Sequence, residues 1–256
     1  MPFKRIVLLA GKWDTTPIVY HFLQKNFHVD KVIIENAVPR KEFLKKRIKK
    51  LGWFNVAGQV LFQLTIAKPL LKFSRKRVEE IKRAYQLKDG PIPQNTIESV
   101  SSINDIRSLQ LLTSCNPDLV IVHGTKIISK KILQGTNATF INIHAGITPR
   151  YRGSHGAYWA LANNDKDNCG VTIHLVDPGI DTGNVLAQAV IPISAKDNFA
   201  TYPYLQLAEG LNLLHQVITE LEKGRKSVIK NDLDSALWHH PTLWGYLWTL
   251  LTKGVR

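Results

Sequence analysis

At 256 residues with 44% hydrophobic content, the chain is long enough to bury a full core and reads as one globular domain with an appendage. Its formal charge of +14 is local: residues 40–83 hold 14 Lys and Arg against Glu42, Glu79 and Glu80, so +11 sits in one short stretch and points to a basic surface for an anionic partner. Two cysteines, Cys115 and Cys169, have no metal-ligand spacing; they argue against a disulfide scaffold and fit a reducing compartment.

In chain order, short β-branched runs stand at residues 5–9, 31–35, 119–123, 139–143 and 171–176, with helical-looking segments between several of them. This alternation predicts an α/β domain built on a mainly parallel, Rossmann-like sheet flanked by helices. The first run lies close behind Met1, so no cleavable signal peptide is expected. After it, Gly11-Lys12-Trp13-Asp14-Thr15-Thr16-Pro17 predicts a helix start with Thr16 as cap and Pro17 in the first turn. The loop lacks Gly-x-Gly-x-x-Gly, which disfavours a nicotinamide dinucleotide site.

Residues 40–86 read as inserted helices. Asn55, Gln59 and Gln63 recur every four residues as a polar stripe through Trp53, Phe54, Val56, Val60, Leu61 and Leu64, and basic clusters flank it at 45–50 and 75–77. Two main readings stand, with RNA binding as a third. One is a helical hairpin packed on its own domain with a solvated basic face; the other is an interfacial element that rests on an anionic membrane. The charge-free run at 51–67 is too short and too polar to span a bilayer comfortably. Gly90-Pro91-Ile92-Pro93 reads as the connector back to the core.

The catalytic domain is expected over 1–225, closing on a helix at 202–221, and 226–256 forms a C-terminal tail. Residues 237–251 carry no formal charge, and Trp238, Trp244 and Trp248 are half of the six tryptophans. Docking onto the domain or onto a second copy, and anchoring at a membrane interface, both fit this pattern. His239-His240 has no third ligand nearby, and no metal is expected.

The most informative residues are Asn142 and His144, two apart on a strand and so on one face, with Asp181 following 37 residues after the histidine. An amide donor, an imidazole and a carboxylate are a set suited to acyl transfer. The stretch from Phe140 through Asn142-Ile143-His144 to Pro149-Arg150-Tyr151-Arg152-Gly153, then Gly170-Val171-Thr172-Ile173-His174 and Asp177-Pro178-Gly179-Ile180-Asp181-Thr182-Gly183, resembles the signature of the folate-dependent formyltransferases. That family includes the glycinamide ribonucleotide, methionyl-tRNA and nucleotide-sugar formyltransferases. The resemblance is strong over about 117–193, and departs from the family where Ala145-Gly146-Ile147-Thr148 follows the histidine.

The resemblance implies the formyltransferase fold, 10-formyltetrahydrofolate as the formyl-donating cosubstrate, and Asn142, His144 and Asp181 as the catalytic residues. Asn142 would donate to the oxyanion; His144 would act as imidazolium donor or as neutral base, and Asp181 would raise the imidazole's pKa. It places pterin contacts at Gly124, Lys126, Ile127, Ile128, Val176, Asp177 and Gly179, with Lys126 also a candidate for the folate's glutamate carboxylate. Lys12, Trp13, Arg150, Tyr151 and Arg152 are the candidates for the acceptor side. The aromatic rather than basic tail makes tRNA a poor fit, and Lys12-Trp13-Asp14 replaces the glycine-rich phosphate loop of the purine enzyme. The preferred acceptor is therefore a primary amine on a small-molecule, nucleotide-linked or lipid-linked metabolite, with an amino sugar foremost. Alternatives are methionyl-tRNA formylation, hydrolysis of the formyl donor, and a non-catalytic membrane-associated binding protein of the same fold. The expected setting is cytoplasmic, with room for peripheral attachment to the inner face of the membrane through 40–83 and the tail, and for a homodimer; nucleic acid is disfavoured.

Overall fold

Period-two alternation sorts the apolar residues of the central strands between two cores, one on each face of a single sheet. The computed structural model of the chain describes residues 3–256. It runs from β1 (Ile6–Gly11) through α1 (Thr16–Asn26) to β2 (Val29–Glu35). A run of helices follows: α2 (Arg40–Leu51), α3 (Trp53–Phe62), a π-turn at Gln63–Ala67, α4 (Lys68–Phe73) and α5 (Arg75–Ala84). The sheet resumes with β3 (Ile97–Val100), α6 (Ile106–Cys115), β4 (Leu119–His123), α7 (Lys130–Gln134) and β5 (Thr139–His144). Then come β6 (Arg152–Gly153), α8 (Gly156–Ala162), β7 (Gly170–Leu175), β8 (Val185–Val190), α9 (Tyr202–Glu222), β9 (Leu237–Trp238) and α10 (Leu243–Lys253).

The strand order is β3-β2-β1-β4-β5-β7-β8, parallel as far as β5 and antiparallel from β5 to β8. Ile6, Leu8, Leu119, Ile121, Ile141 and Ile143 face α1 and α9, whereas Val7, Leu9, Val120, Val122 and Phe140 face α6 and α7. This is the mainly parallel α/β sheet that the sequence predicts. β3 and β8 escape the pattern. In β3, Glu98 and Ser99 interrupt the apolar signal, because an edge strand needs little covering. The start of α1 also shifts by one: Thr15 is the cap residue, and the Thr16 hydroxyl instead donates back to the Gly11 carbonyl at 2.7 Å.

The inserted helices pack on their own domain. Two of the three stripe residues turn inward: Gln59 Nε2 donates to the His240 carbonyl at 2.8 Å and Gln63 Nε2 to His240 Nδ1 at 3.0 Å, while Asn55 stays exposed. Phe54 stacks on Trp244 with ring centroids 4.3 Å apart, and Phe62 meets Phe199 and Tyr246 at 4.9 and 5.0 Å. A Cβ at Gly58 would lie 2.3 Å from the Trp244 ring, so this glycine is what admits the indole. The tail is equally integrated: β9 pairs in parallel with β6, and α10 rests on α3. Among the described residues no helix is long and apolar enough to cross a membrane.

α5 is fixed to the loop before α9 by a two-pronged ion pair, Arg77 Nε to Asp197 Oδ1 at 2.8 Å and Arg77 Nη2 to Asp197 Oδ2 at 3.1 Å. Asp197 is buried, and removing its cation would strand the charge. Arg77→Met is expected to cost about 3 kcal/mol, the low end of the range for breaking such a pair because Arg77 is itself partly exposed. The shift of the urea unfolding midpoint measures it; a change under about 0.5 kcal/mol would show that the pair holds nothing.

Candidate active site

Asn142 and His144 share a face of β5 with Phe140, but where Phe140 is covered by the α6/α7 core the two polar residues open into a cleft of about 430 Å³. The antiparallel partner strand sets Asn142 directly opposite His174 and His144 opposite Thr172. Asp181 comes from the loop after β7 and holds a left-handed backbone conformation, φ 52°, uncommon for a residue with a side chain. That loop is shaped by Asp177, whose carboxylate accepts from the Gly179 N–H at 3.1 Å and the Thr182 hydroxyl at 2.8 Å. It is closed at Gly183, where any Cβ would lie 1.7 Å from the Leu175 carbonyl oxygen.

Backbone carbonyls fix the protonation pattern. A carbonyl only accepts, so the His144 nitrogen 2.8 Å from the Tyr151 oxygen, Nε2, carries the proton, and Nδ1 is left to face Asp181 Oδ1 at 3.3 Å. In the same way His174 Nδ1 donates to the Leu175 carbonyl at 2.7 Å, and its bare Nε2 accepts from Asn142 Nδ2 at 3.0 Å. Asn142 Nδ2 reaches Asp181 Oδ1 by a longer bond of 3.4 Å, while Asp181 Oδ2 takes the Gly153 N–H at 2.9 Å. Oδ1 therefore looks onto the unprotonated Nδ1 of His144, a place built to receive one more proton.

Burial alone would push the Asp181 carboxyl up, but the charge that His144 carries once protonated, the neighbouring His174 and the Gly153 N–H together hold it at about 2. For His144 the balance runs the other way: burial lowers its pKa below the ordinary 6.5, and the opposing pull of Asp181 and the Tyr151 carbonyl does not make up the difference. The expectation of a raised imidazole pKa is thus corrected. Asp181 acts in the expected direction but is outweighed by desolvation.

Of the positions expected from the sequence, Asn142, His144 and Asp181 meet in this cleft, and Gly124, Lys126, Ile127, Ile128, Val176, Asp177 and Gly179 all line it. The Lys126 ammonium is not free, because it pairs with the buried carboxylate of Glu35 at 2.7 Å, which also accepts the Lys126 N–H. The acceptor-side candidates are not in the lining. Arg150 and the Tyr151 hydroxyl both turn to Asp165, at 3.3 and 2.8 Å; Arg152 Nη1 donates to the Ile180 carbonyl at 3.1 Å. Trp13 lies against the Gly124 carbonyl at 2.7 Å, next to the lining, and Lys12 is exposed beside it.

Sequence reasoning missed His174, the Gly153 N–H, the Tyr151 carbonyl, and Leu237, Trp238 and His239, which line the cleft from the tail. His174 had a signal in its own motif, but its place opposite Asn142 depends on an antiparallel pairing. The backbone groups and the tail residues carry none.

A family model described as formyl transferase matches residues 64–218. A methionyl-tRNA formyltransferase from Finegoldia magna is 36% identical over 166 residues, 63% of this chain and 50% of that protein; another, from Thermodesulfovibrio yellowstonii, is 36% identical over 124 residues, 48% of this chain and 40% of that protein. The match thus spans half or less of the length of these curated relatives. Among solved structures, the phosphoribosylglycinamide formyltransferase of Streptococcus pneumoniae superimposes with a TM-score of 0.54 at 21% identity, covering 86% of this chain and 99% of that one. The fold is thus that of the formyltransferases.

Asp181→Asn removes the negative charge that raises the His144 pKa, so the His144 midpoint, followed by NMR of the ring, is expected to fall further below 6.5. A midpoint that stays or rises would mean that carboxylate and imidazole are not coupled.

Proposed function

The chain belongs to the formyl transferase family, and from that premise we propose that it moves a formyl group from 10-formyltetrahydrofolate to a primary amine. The observation that carries this reading is the bare Nδ1 of His144 held 3.3 Å from the ionised Asp181 in the cleft. The donor supplies an activated formyl carbon. Its flat heteroaromatic ring suits walls made by Ile127, Ile128 and Val176 with backbone groups along the edge, in a space of ordinary ligand size. His123, whose Nδ1 is buried without a partner, lines the same space and offers that ring an edge contact. A solved N-formyltransferase from Helicobacter canadensis, described in complex with folinic acid and dTDP-3-aminofucose, shares the fold (TM-score 0.53, 17% identity, 91% of this chain and 70% of that one).

When an amine adds to the formyl carbon, negative charge develops on oxygen and the nitrogen must shed a proton. Asn142 Nδ2 keeps its 3.0 Å bond to His174 and can turn its weaker, 3.4 Å bond from Asp181 to that oxygen. His144 takes the amine proton at Nδ1, and the imidazolium so formed lies against Asp181 Oδ1; as the intermediate collapses, the bond from the formyl carbon to the donor nitrogen breaks and that nitrogen takes the proton from Nδ1, leaving the formamide and tetrahydrofolate. The neutral-base role follows from the lowered pKa. We assign the acceptor to the class of amino sugars, nucleotide-activated or lipid-linked, in a reducing cytoplasm. Methionyl-tRNA is the second reading, favoured by the relatives at 36% identity.

Purified protein with 10-formyltetrahydrofolate is expected to form a formamide on amino-sugar nucleotides; exclusive use of initiator methionyl-tRNA would establish the second reading, and release of formate alone would make the protein a hydrolase. Asn142→Ala is expected to lower kcat by about 10²–10³, the usual cost of one oxyanion donor. kcat/KM should rise with pH through a midpoint below 6.5 as His144 loses its proton, and Asp181, ionised down to about pH 2, should add no limb above that. A profile that instead falls through this region would make the imidazolium the working form.

A further inference from the structure

α2 and α3 enclose a second cavity, an apolar groove of about 280 Å³, that formyl chemistry does not use. Phe43, Val56, Val60 and Leu64 supply carbon surface, and Arg47 is set among them. Arg47 is half-buried, yet its Nε donates to a neutral acceptor, Gln59 Oε1, at 2.8 Å, and no carboxylate among the described residues pairs with it. Burial lowers its pKa, and only neutral partners, Gln59 and the Phe43 ring 5.5 Å away, stand in for the lost water among the described residues. A cation desolvated without a counter-charge is costly unless an anion arrives from outside. The exposed Arg40 and Lys68 line the same groove, and the only acid from α2 to α4, Glu42, is already paired with Lys46 at 2.6 Å.

Around the groove the surface is apolar where a soluble protein is normally polar. Trp53 is 71% exposed, Phe73 81%, Trp248 70% and Leu251 82%. These side chains are not scattered. Trp53 meets Phe54 at 5.8 Å, Phe54 stacks on Trp244, and Trp248 follows one helical turn along α10, which makes an aromatic band across α3 and α10. Contiguous exposed apolar surface of this kind marks an interaction site.

We propose that this face docks on an anionic phospholipid surface, with a lipid phosphate received at Arg47 in the groove and the aromatic band lying at headgroup depth. Bulky aromatics beside a basic rim fit the interface between headgroups and acyl chains, where the rings lie half in each phase. A second copy fits worse, because docking would bring two strongly cationic 40–83 stretches together. RNA would satisfy the cations but leave Phe73, Leu251 and the aliphatic groove walls without a use. The arrangement also bears on catalysis: His239 lines the formyl-transfer cleft and His240, the next residue, lines the groove, so a docked protein holds its cleft close to the lipid surface.

Flotation with phosphatidylcholine vesicles, with and without phosphatidylglycerol, tests this without any formyl donor, so its outcome is independent of the proposed chemistry. Binding is expected only when phosphatidylglycerol is present, with a blue shift of tryptophan fluorescence and weakening as salt rises. Arg47→Gln, which retains an amide donor for Gln59, should weaken binding about fivefold at an unchanged or higher Tm, and Trp53→Ser should weaken it similarly. The proposal is overturned by absence of binding at low salt, by equal binding to neutral vesicles, or by Arg47→Gln behaving as wild type. It is overturned equally if sedimentation shows a dimer that Trp53→Ser dissolves, if a short RNA competes the protein off the vesicles, or if millimolar glycerol phosphate does so.

Discussion

The hydrogen bond from His144 Nε2 to the Tyr151 carbonyl decides the chemistry open to this cleft. With that nitrogen committed to the backbone, the imidazole has one free face, Nδ1, and that face meets the carboxylate of Asp181. Burial keeps the ring neutral, while the Gly153 N–H helps to keep the carboxylate ionised. The result is a base with its counter-charge already in place, so little reorganisation is needed when a proton arrives. The same backbone strategy is used on His174, whose Nδ1 is held by the Leu175 carbonyl so that Nε2 can orient the amide of Asn142. Two carbonyls thus define the roles of three side chains.

This explains which parts of the site are legible in a sequence. Asn142, His144 and Asp181 stand out because their side chains are the proposed reagents and their spacing is rigid: two residues on a strand, then a loop whose Gly183 permits no side chain. The groups that orient them are peptide N–H and C=O groups of Tyr151, Gly153 and Leu175, which any residue type supplies. Arg150 and Tyr151 mislead for a related reason. They sit in the run after the histidine and look like ligands, but it is the Tyr151 backbone that holds His144, while both side chains anchor the loop to Asp165. Lys126 is similar: a lysine in a binding loop suggests a ligand carboxylate, and only the fold reveals the buried Glu35 that takes it.

The sheet was readable for a different cause. Strands covered on both faces carry long β-branched runs, and β1, β4 and β5 announce themselves in that way. The insertion was ambiguous because an apolar helix with a polar stripe has the same pattern whether the stripe faces water or a partner element. Here Gln59 and Gln63 face His240, some 180 residues away, and that pairing cannot be inferred from periodicity.

The division of labour along the chain follows the division of the match. Residues 64–218 contain Asn142, His144, Asp181 and both loops that frame the cleft, so the proposed catalytic set and donor side lie within the shared part. α2, α3, β9 and α10 lie outside it, yet β9 and His239 complete the cleft, and α10 joins them to α3 through Trp244. The wall opposite the catalytic residues is therefore coupled to the basic, aromatic face by a single packed unit, in which the Gln59 and Gln63 amides grip His240 one residue from the cleft lining. β9 also pairs with Gly153, whose N–H holds Asp181 Oδ2 at 2.9 Å, so this wall is tied to the carboxylate beside His144. The segments outside the match thus meet the cleft at several places: at the peptide between His239 and His240, along β9 where it pairs with β6, and at the His239 carbonyl, which accepts from the Trp159 indole.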